Sequence, residues 1–185
     1  MRRLDPRAPL VVDTRELGRR PGSMRTVTRT VPAPADLGIV VIGILEGSPI
    51  DLDLRLESVV EGVLVTGTAR VRVEGECVRC LDPVSSEQEV RLQELYLYPD
   101  QDLDDEEAER LEGDLLDLEP VLRDAVVLAL PFQPVCREDC PGLCVECGAL
   151  LADDPEHHHA STDPRWAALN VLVQLDPNVI EKEES

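Results

Sequence analysis

Aromatic side chains are almost missing from this sequence: one Phe, one Trp and two Tyr, or 2% of 185 residues. Its core must therefore be built from Val, Leu, Ile and Ala. Basic side chains are scarce as well, 18 against 38 acidic, for a formal net charge of −20. A surface of that sign repels phosphate backbones and anionic lipid, which argues against the body as a nucleic-acid or membrane binder. No apolar run approaches the roughly eighteen residues a membrane-spanning helix needs, and the first thirty residues hold no run of signal-peptide length. The expected compartment is the cytoplasm, where thiols stay reduced and hold metal more often than they form disulfides. HExxH, P-loop and GxSxG patterns are missing too, so no enzyme activity is expected.

What is present is enough for a folded core: 43% of the residues are hydrophobic. The charge is uneven. Residues 1–35 carry eight Arg against three acids, leaving ten basic and thirty-five acidic side chains for the rest. Arg15, Arg19, Arg20, Arg25 and Arg29 are the candidate nucleic-acid contacts, against the plainer reading of solvated arginines. An acidic body suits a basic protein partner, and no small-molecule substrate is evident.

Along the chain, PLVVDTRELGRRPG reads as an apolar run and a one- or two-turn helix ending at Gly18. SMRTVTRTV follows as a strand or extended arm, broken by Pro32 and Pro34. IVVIGIL, residues 39–45, is a continuous apolar run consistent with one buried strand. In IDLDLRLE, Ile50, Leu52, Leu54 and Leu56 alternate with charged residues, the period of a half-buried strand. Val63, Val65, Ala69, Val71 and Val73 share one parity in a second strand, with Gly67 and Gly75 as bulge or close-approach points. That parity turns Cys77 to the apolar face and puts CVRC in the turn before a third strand, about residues 84–98. An antiparallel meander follows. Residues 100–119, with eleven acids and one Arg, read as a solvated linker. Asp117 then caps a helix with Leu118, Val121, Leu122, Ala125, Val126, Leu128 and Ala129 on its apolar face. A second helix is expected in DPRWAALNVLVQL, capped by Asp163, with Pro164 first and Trp166, Leu169, Leu172 and Val173 buried. The expected class is α+β: an antiparallel meander sheet packed by two or three helices, with a cysteine-rich zinc-binding loop. The expected organisation is one structural domain: an Arg-rich segment 1–35, a β region 36–99, an acidic linker 100–117, helix, loop and helix over 118–176, and a loose tail 177–185.

The six cysteines carry the chemistry. Cys136, Cys140, Cys144 and Cys147 fall within twelve residues, and Cys77 and Cys80 lie almost sixty residues upstream. Tetrahedral zinc takes four ligands, so six thiols cannot all serve one ion. One closure is local, from Cys136 to Cys147; a second joins the two knuckles CVRC and CVEC, as in a zinc ribbon. A third joins Cys77 and Cys80 to Cys136 and Cys140, and leaves Cys144 and Cys147 to His157 and His159. Only the third leaves no orphan cysteine, and it is preferred here; a run of three His in a polar loop is otherwise an ordinary solvated feature. Six inert small hydrophobes, a redox CVRC and a radical-chemistry CxxxCxxC cluster are weaker readings. The redox motif should open a helix after a strand, and nothing else here suits the large barrel such a cluster needs.

With CVRC, LPFQPVCREDCPGLCVECG and DPRWAAL on the page, the chain resembles the YceD family, bacterial and plastid proteins associated with accumulation of large-subunit ribosomal RNA. The likeness runs from PLVVDTREL to DPRWAAL. It implies a process rather than a reaction, and relatives carry a CxC pair near the position of His157 and His159. The expected function is that of a non-enzymatic zinc-stabilised factor in large-subunit ribosomal RNA accumulation or ribosome assembly, holding one or two zinc ions. It would act through basic ribosomal or assembly proteins, with ribosomal RNA reached indirectly or through the Arg-rich start. The alternatives are a CxxC thiol oxidoreductase and a zinc-sensing module.

Overall fold

The computed structural model describes residues 4–101 and 108–159. They form eight strands and one helix: β1 (Val11–Asp13), β2 (Met24–Pro32), β3 (Leu37–Ile39), β4 (Ile42–Ile44), β5 (Pro49–Ser58), β6 (Gly62–Glu76), β7 (Pro83–Leu97), β8 (Leu115–Asp117) and α1 (Glu119–Ala129). The chain divides into two compact units, one ending at Cys140 and the other starting at Pro141.

The first unit is an antiparallel sheet around β6. β7 pairs with β6 along its whole length, from Gly62↔Leu97 to Glu76↔Pro83. The opposite edge of β6 is shared by β5, from Ser58↔Val63 to Asp51↔Arg70, and by β4 at Gly75 and Glu74. β2 extends the sheet beyond β5, and β3 pairs with β4. The alternation in the sequence sets the buried face. Ile50, Leu52, Leu54 and Leu56 of β5 lie against Val63, Val65, Ala69, Val71 and Val73 of β6 and Val90, Leu92 and Tyr96 of β7, all buried. Each such aliphatic side chain contributes about 1.5–3 kcal/mol. Gly67 allows a close approach within an unbroken register, not a bulge: a Cβ there would lie 2.1 Å from the Asp53 carbonyl oxygen.

The expectation of an α+β fold with two or three packing helices is corrected. The described residues are mostly β, and α1 is their one helix, packed against β7 and β3. Residues 15–17 make a turn rather than a helix, closed by the Leu17 N–H on the Thr14 carbonyl at 2.9 Å. The expected second helix, with Asp163, Pro164, Trp166, Leu169, Leu172 and Val173, lies outside the described residues. Residues 39–45 are not one strand. They belong to the β3–β4 hairpin, where Gly38 and Gly43 face each other without side chains and Val40 stands fully exposed at the turn. A continuous apolar run carries no period, so its reversal is invisible in the pattern.

The N-terminal residues are tied in by β1, which pairs with β8 within the acidic stretch. Leu111 and Leu116 of that stretch are buried. Asp117 accepts the Glu119 N–H on its carboxylate (2.9 Å) and the Tyr96 hydroxyl on its carbonyl (2.7 Å), fixing the start of α1 against β7. Leu122 and Val126 are the buried face of α1, while Leu128 points to solvent. No helix among the described residues is long and apolar enough to cross a membrane.

Candidate metal centres

β6 delivers Cys77 fully buried at its end, as its parity requires. The turn that follows is closed by the Leu81 N–H on the Cys77 carbonyl (2.9 Å) and the Cys77 N–H on the Asp82 carbonyl (2.8 Å). Leu81 sits at φ 65°, a left-handed state that costs a side-chain-bearing residue roughly 1–2 kcal/mol. The chain leaving α1 meets this turn. The Val78 N–H donates to the Pro134 carbonyl at 2.9 Å, and the Arg79 guanidinium donates to the carbonyls of Glu138 (3.2 Å) and Cys140 (3.0 Å). Arg79, inside the CVRC motif, is thus the clamp that holds the second pair of cysteines in place.

Four thiols converge there. Cys77 Sγ lies 3.8 Å from Cys140 Sγ, and Cys80 Sγ lies 3.5 Å from Cys136 Sγ. All four sulfurs are within 4.8 Å of one another. Tetrahedral zinc with bonds of about 2.3 Å sets sulfur–sulfur edges of about 3.8 Å, so the donor set fits. Burial opposes a thiolate at Cys77. The N–H groups of Cys136, Cys80 and Arg79 more than offset it, and the pKa comes down to about 6. Cys80 is shifted upward: the Asp82 N–H favours its thiolate, but burial and the neighbouring Cys77, Asp82 and Cys136 groups outweigh it.

The second unit repeats the device on a smaller scale. A short hairpin closes through the Cys144 N–H on the Ala149 carbonyl and the Gly148 N–H on the Cys144 carbonyl, both 2.8 Å. Gly148 follows its CxxC at φ 73°, the state Leu81 adopts after CVRC, and here glycine makes it cheap. Cys147 Sγ lies 3.2 Å from both His157 Nε2 and His159 Nε2, which are 3.0 Å apart. With Cys144 Sγ these atoms lie within 4.8 Å of one another. His158 turns its Nδ1 to the Glu156 carbonyl instead. The N–H groups of Cys147 and Glu146 bring the Cys144 pKa down to about 6. The other ring nitrogens meet carboxylates: Asp154 is 3.8 Å from His157 Nδ1, and Glu146 is 3.6 Å from His159 Nδ1. Metal-binding imidazoles characteristically turn their second nitrogen to a carboxylate, so this donor set also fits. Asp154, Glu146, Asp82 and Arg79 were not singled out in the sequence; only contact geometry marks them.

The eight candidate ligands selected from the sequence therefore fall into two sets of four: Cys77, Cys80, Cys136 and Cys140, and Cys144, Cys147, His157 and His159. The arginines do not form a cluster of that kind. Arg15 pairs with Asp13, and Arg19 with Asp100 while lying 4.6 Å over the Tyr98 ring. Arg25 pairs with Glu16 and donates to the Asp13 carbonyl, and Arg29 donates to the Val11 carbonyl. Arg29 Nε is buried without a hydrogen-bond partner, and desolvation lowers the pKa of its guanidinium. Arg20 is exposed.

The chain is similar to several known proteins. An uncharacterised protein of Mycobacterium tuberculosis is 51% identical over 95% of this chain and 87% of its own length. One of Mycobacterium leprae is 42% identical over 96% of this chain and 83% of its own length. YlbN of Bacillus subtilis is 27% identical over 54% of this chain and 60% of its own length. No solved structure matches. Residues 65–173, which contain CVRC and both four-ligand sets, match the family model described as large ribosomal RNA subunit accumulation protein YceD, and the chain belongs to that family.

Proposed function

We propose that this protein is a non-enzymatic, zinc-stabilised factor in large-subunit ribosomal RNA accumulation and ribosome assembly in the cytoplasm, holding one zinc ion in each four-ligand set. The observation that carries the reading is saturation. Each set supplies four protein donors, and a four-coordinate zinc with no exchangeable position is structural rather than catalytic. The family description supplies the process. A net charge of −20 favours basic ribosomal or assembly proteins over RNA as the direct partner, with RNA reached through them. The intrachain pairing of Arg15, Arg19, Arg25 and Arg29 supports the same choice. The test is purification of the tagged full chain from cells, with sequencing of associated RNA and identification of associated proteins. Large-subunit ribosomal RNA and basic large-subunit proteins should be enriched together, and to be lost together after nuclease treatment only if RNA is the bridge. Enrichment of neither overturns the reading.

A further inference from the structure

The strained residue beside the first thiol set points outward. Leu81 holds φ 65° where Gly148 occupies the corresponding place in the other knuckle, yet its side chain is 60% exposed. Core packing therefore does not explain why a leucine stands at a position that favours glycine. Val78, in the same turn, is 41% exposed, and Val40, at the tip of the β3–β4 hairpin, is fully exposed. Single exposed aliphatics are ordinary; these three border one open cavity of about 400 Å³. Its walls are the hairpin from Ile39 to Gly43 and the end of β6 from Glu74 to Cys77. Glu76 supplies an acidic rim, and Glu74 beside it is ion-paired with Arg72 at 3.2 Å, on a chain of net charge −20.

We infer that this cavity is the docking site for a basic protein segment carrying an aliphatic anchor. The anchor would pack between Val40, Val78 and Leu81, while a flanking Lys or Arg side chain meets Glu76 and a second competes with Arg72 for Glu74. Apolar contact at the centre with charge at the rim is the usual division of labour in a recognition groove. The left-handed backbone at Leu81 is the cost of aiming that side chain at a partner. The inference rests on the reading that this protein works through basic protein partners, and it names the surface used.

The experiment is an NMR titration of the isotope-labelled, zinc-loaded full chain with a synthetic lysine-rich peptide bearing a central leucine pair. A control peptide has serine in place of both leucines. The leucine peptide should shift resonances of residues 39–43 and 74–81 and bind roughly tenfold or more tightly than the control, the worth of one buried aliphatic side chain. Leu81→Gly removes the anchor contact while relieving the backbone, so it should weaken the leucine peptide roughly tenfold with an unchanged or higher melting temperature. Equal binding of the two peptides, or binding unaffected by Leu81→Gly, overturns this surface and leaves a purely electrostatic protein partner standing. Binding of neither peptide overturns the surface, and the fate of the broader reading is then decided by the purification from cells.

Discussion

Cys77 and Cys140 bring their sulfurs to 3.8 Å across 63 residues of chain, one from the end of the central strand and the other from the loop after the only helix among the described residues. A metal bridging them closes a long loop, and this is where a crosslink opposes the most unfolded-state entropy. Cys77→Ser or Cys140→Ser is expected to lower bound zinc from two ions per chain to one. The stability loss should be on the order of 3–5 kcal/mol, or roughly 10 °C in melting temperature. Elemental analysis and calorimetry on the same samples check it; full zinc content in Cys77→Ser refutes the assignment.

The second set shares no ligand with the first, so its losses should be separable. Cys144→Ser or His157→Ala should remove one ion and leave the melting of the sheet nearly unchanged. Glu146→Gln and Asp154→Asn should keep both ions at saturating zinc and weaken the second site about 10–100-fold, read by competition with a chromophoric chelator. Unaltered affinity in both variants would show that the carboxylates do not orient the imidazoles.

Acid should open both sets. The Cys77 and Cys144 thiols are each held at about 6, below their ordinary value of 9.0. A depressed folded-state pKa favours the thiolate, so the stabilisation is complete above the ordinary value and is lost as pH falls through about 6. Zinc retention and melting temperature should fall together on titration from pH 7 to 5. Flat retention to pH 5 contradicts this.

Gly67 is a test of the sheet alone. A Cβ at this position meets the Asp53 carbonyl oxygen and the Leu54 Cα, both backbone, which cannot swing aside. Gly67→Ala should cost about 3 kcal/mol or more, with both zinc ions retained in the fraction that folds. Chemical denaturation measures it, and a loss below about 1 kcal/mol would mean that β5 and β6 are less tightly apposed.

Strands β5 and β6 were legible because Ile50–Leu56 and Val63–Val73 alternate, and alternation decides both conformation and face. The β3–β4 reversal was not, since seven apolar residues in a row look the same straight or folded. β8 was masked by charge: Leu115–Asp117 sits among carboxylates whose density suggested a linker, and the buried Leu111 and Leu116 are too widely spaced to announce a strand. Arg25 and Arg29 read as candidate nucleic-acid contacts, since a sequence shows a charge but not the carbonyl it meets. The candidate ligand sets were reachable by counting to four, which selected the His157/His159 pair that the structure brings beside Cys147. Their outer carboxylates belong to turn geometry that no spacing rule encodes.

Synthesis proceeds from the N-terminus, and this gives the split first set a temporal meaning. Strands β2 to β7 are complete once Leu97 has emerged, while the thiols of the CVRC turn still lack half of their partners. Until Cys140 arrives, a nascent chain carries a paired sheet with an open clasp, vulnerable to oxidants and to the wrong metal. If the first set holds zinc as proposed, ion capture is the last act in maturing this unit, and a cell short of zinc would accumulate chains that are folded but unlatched.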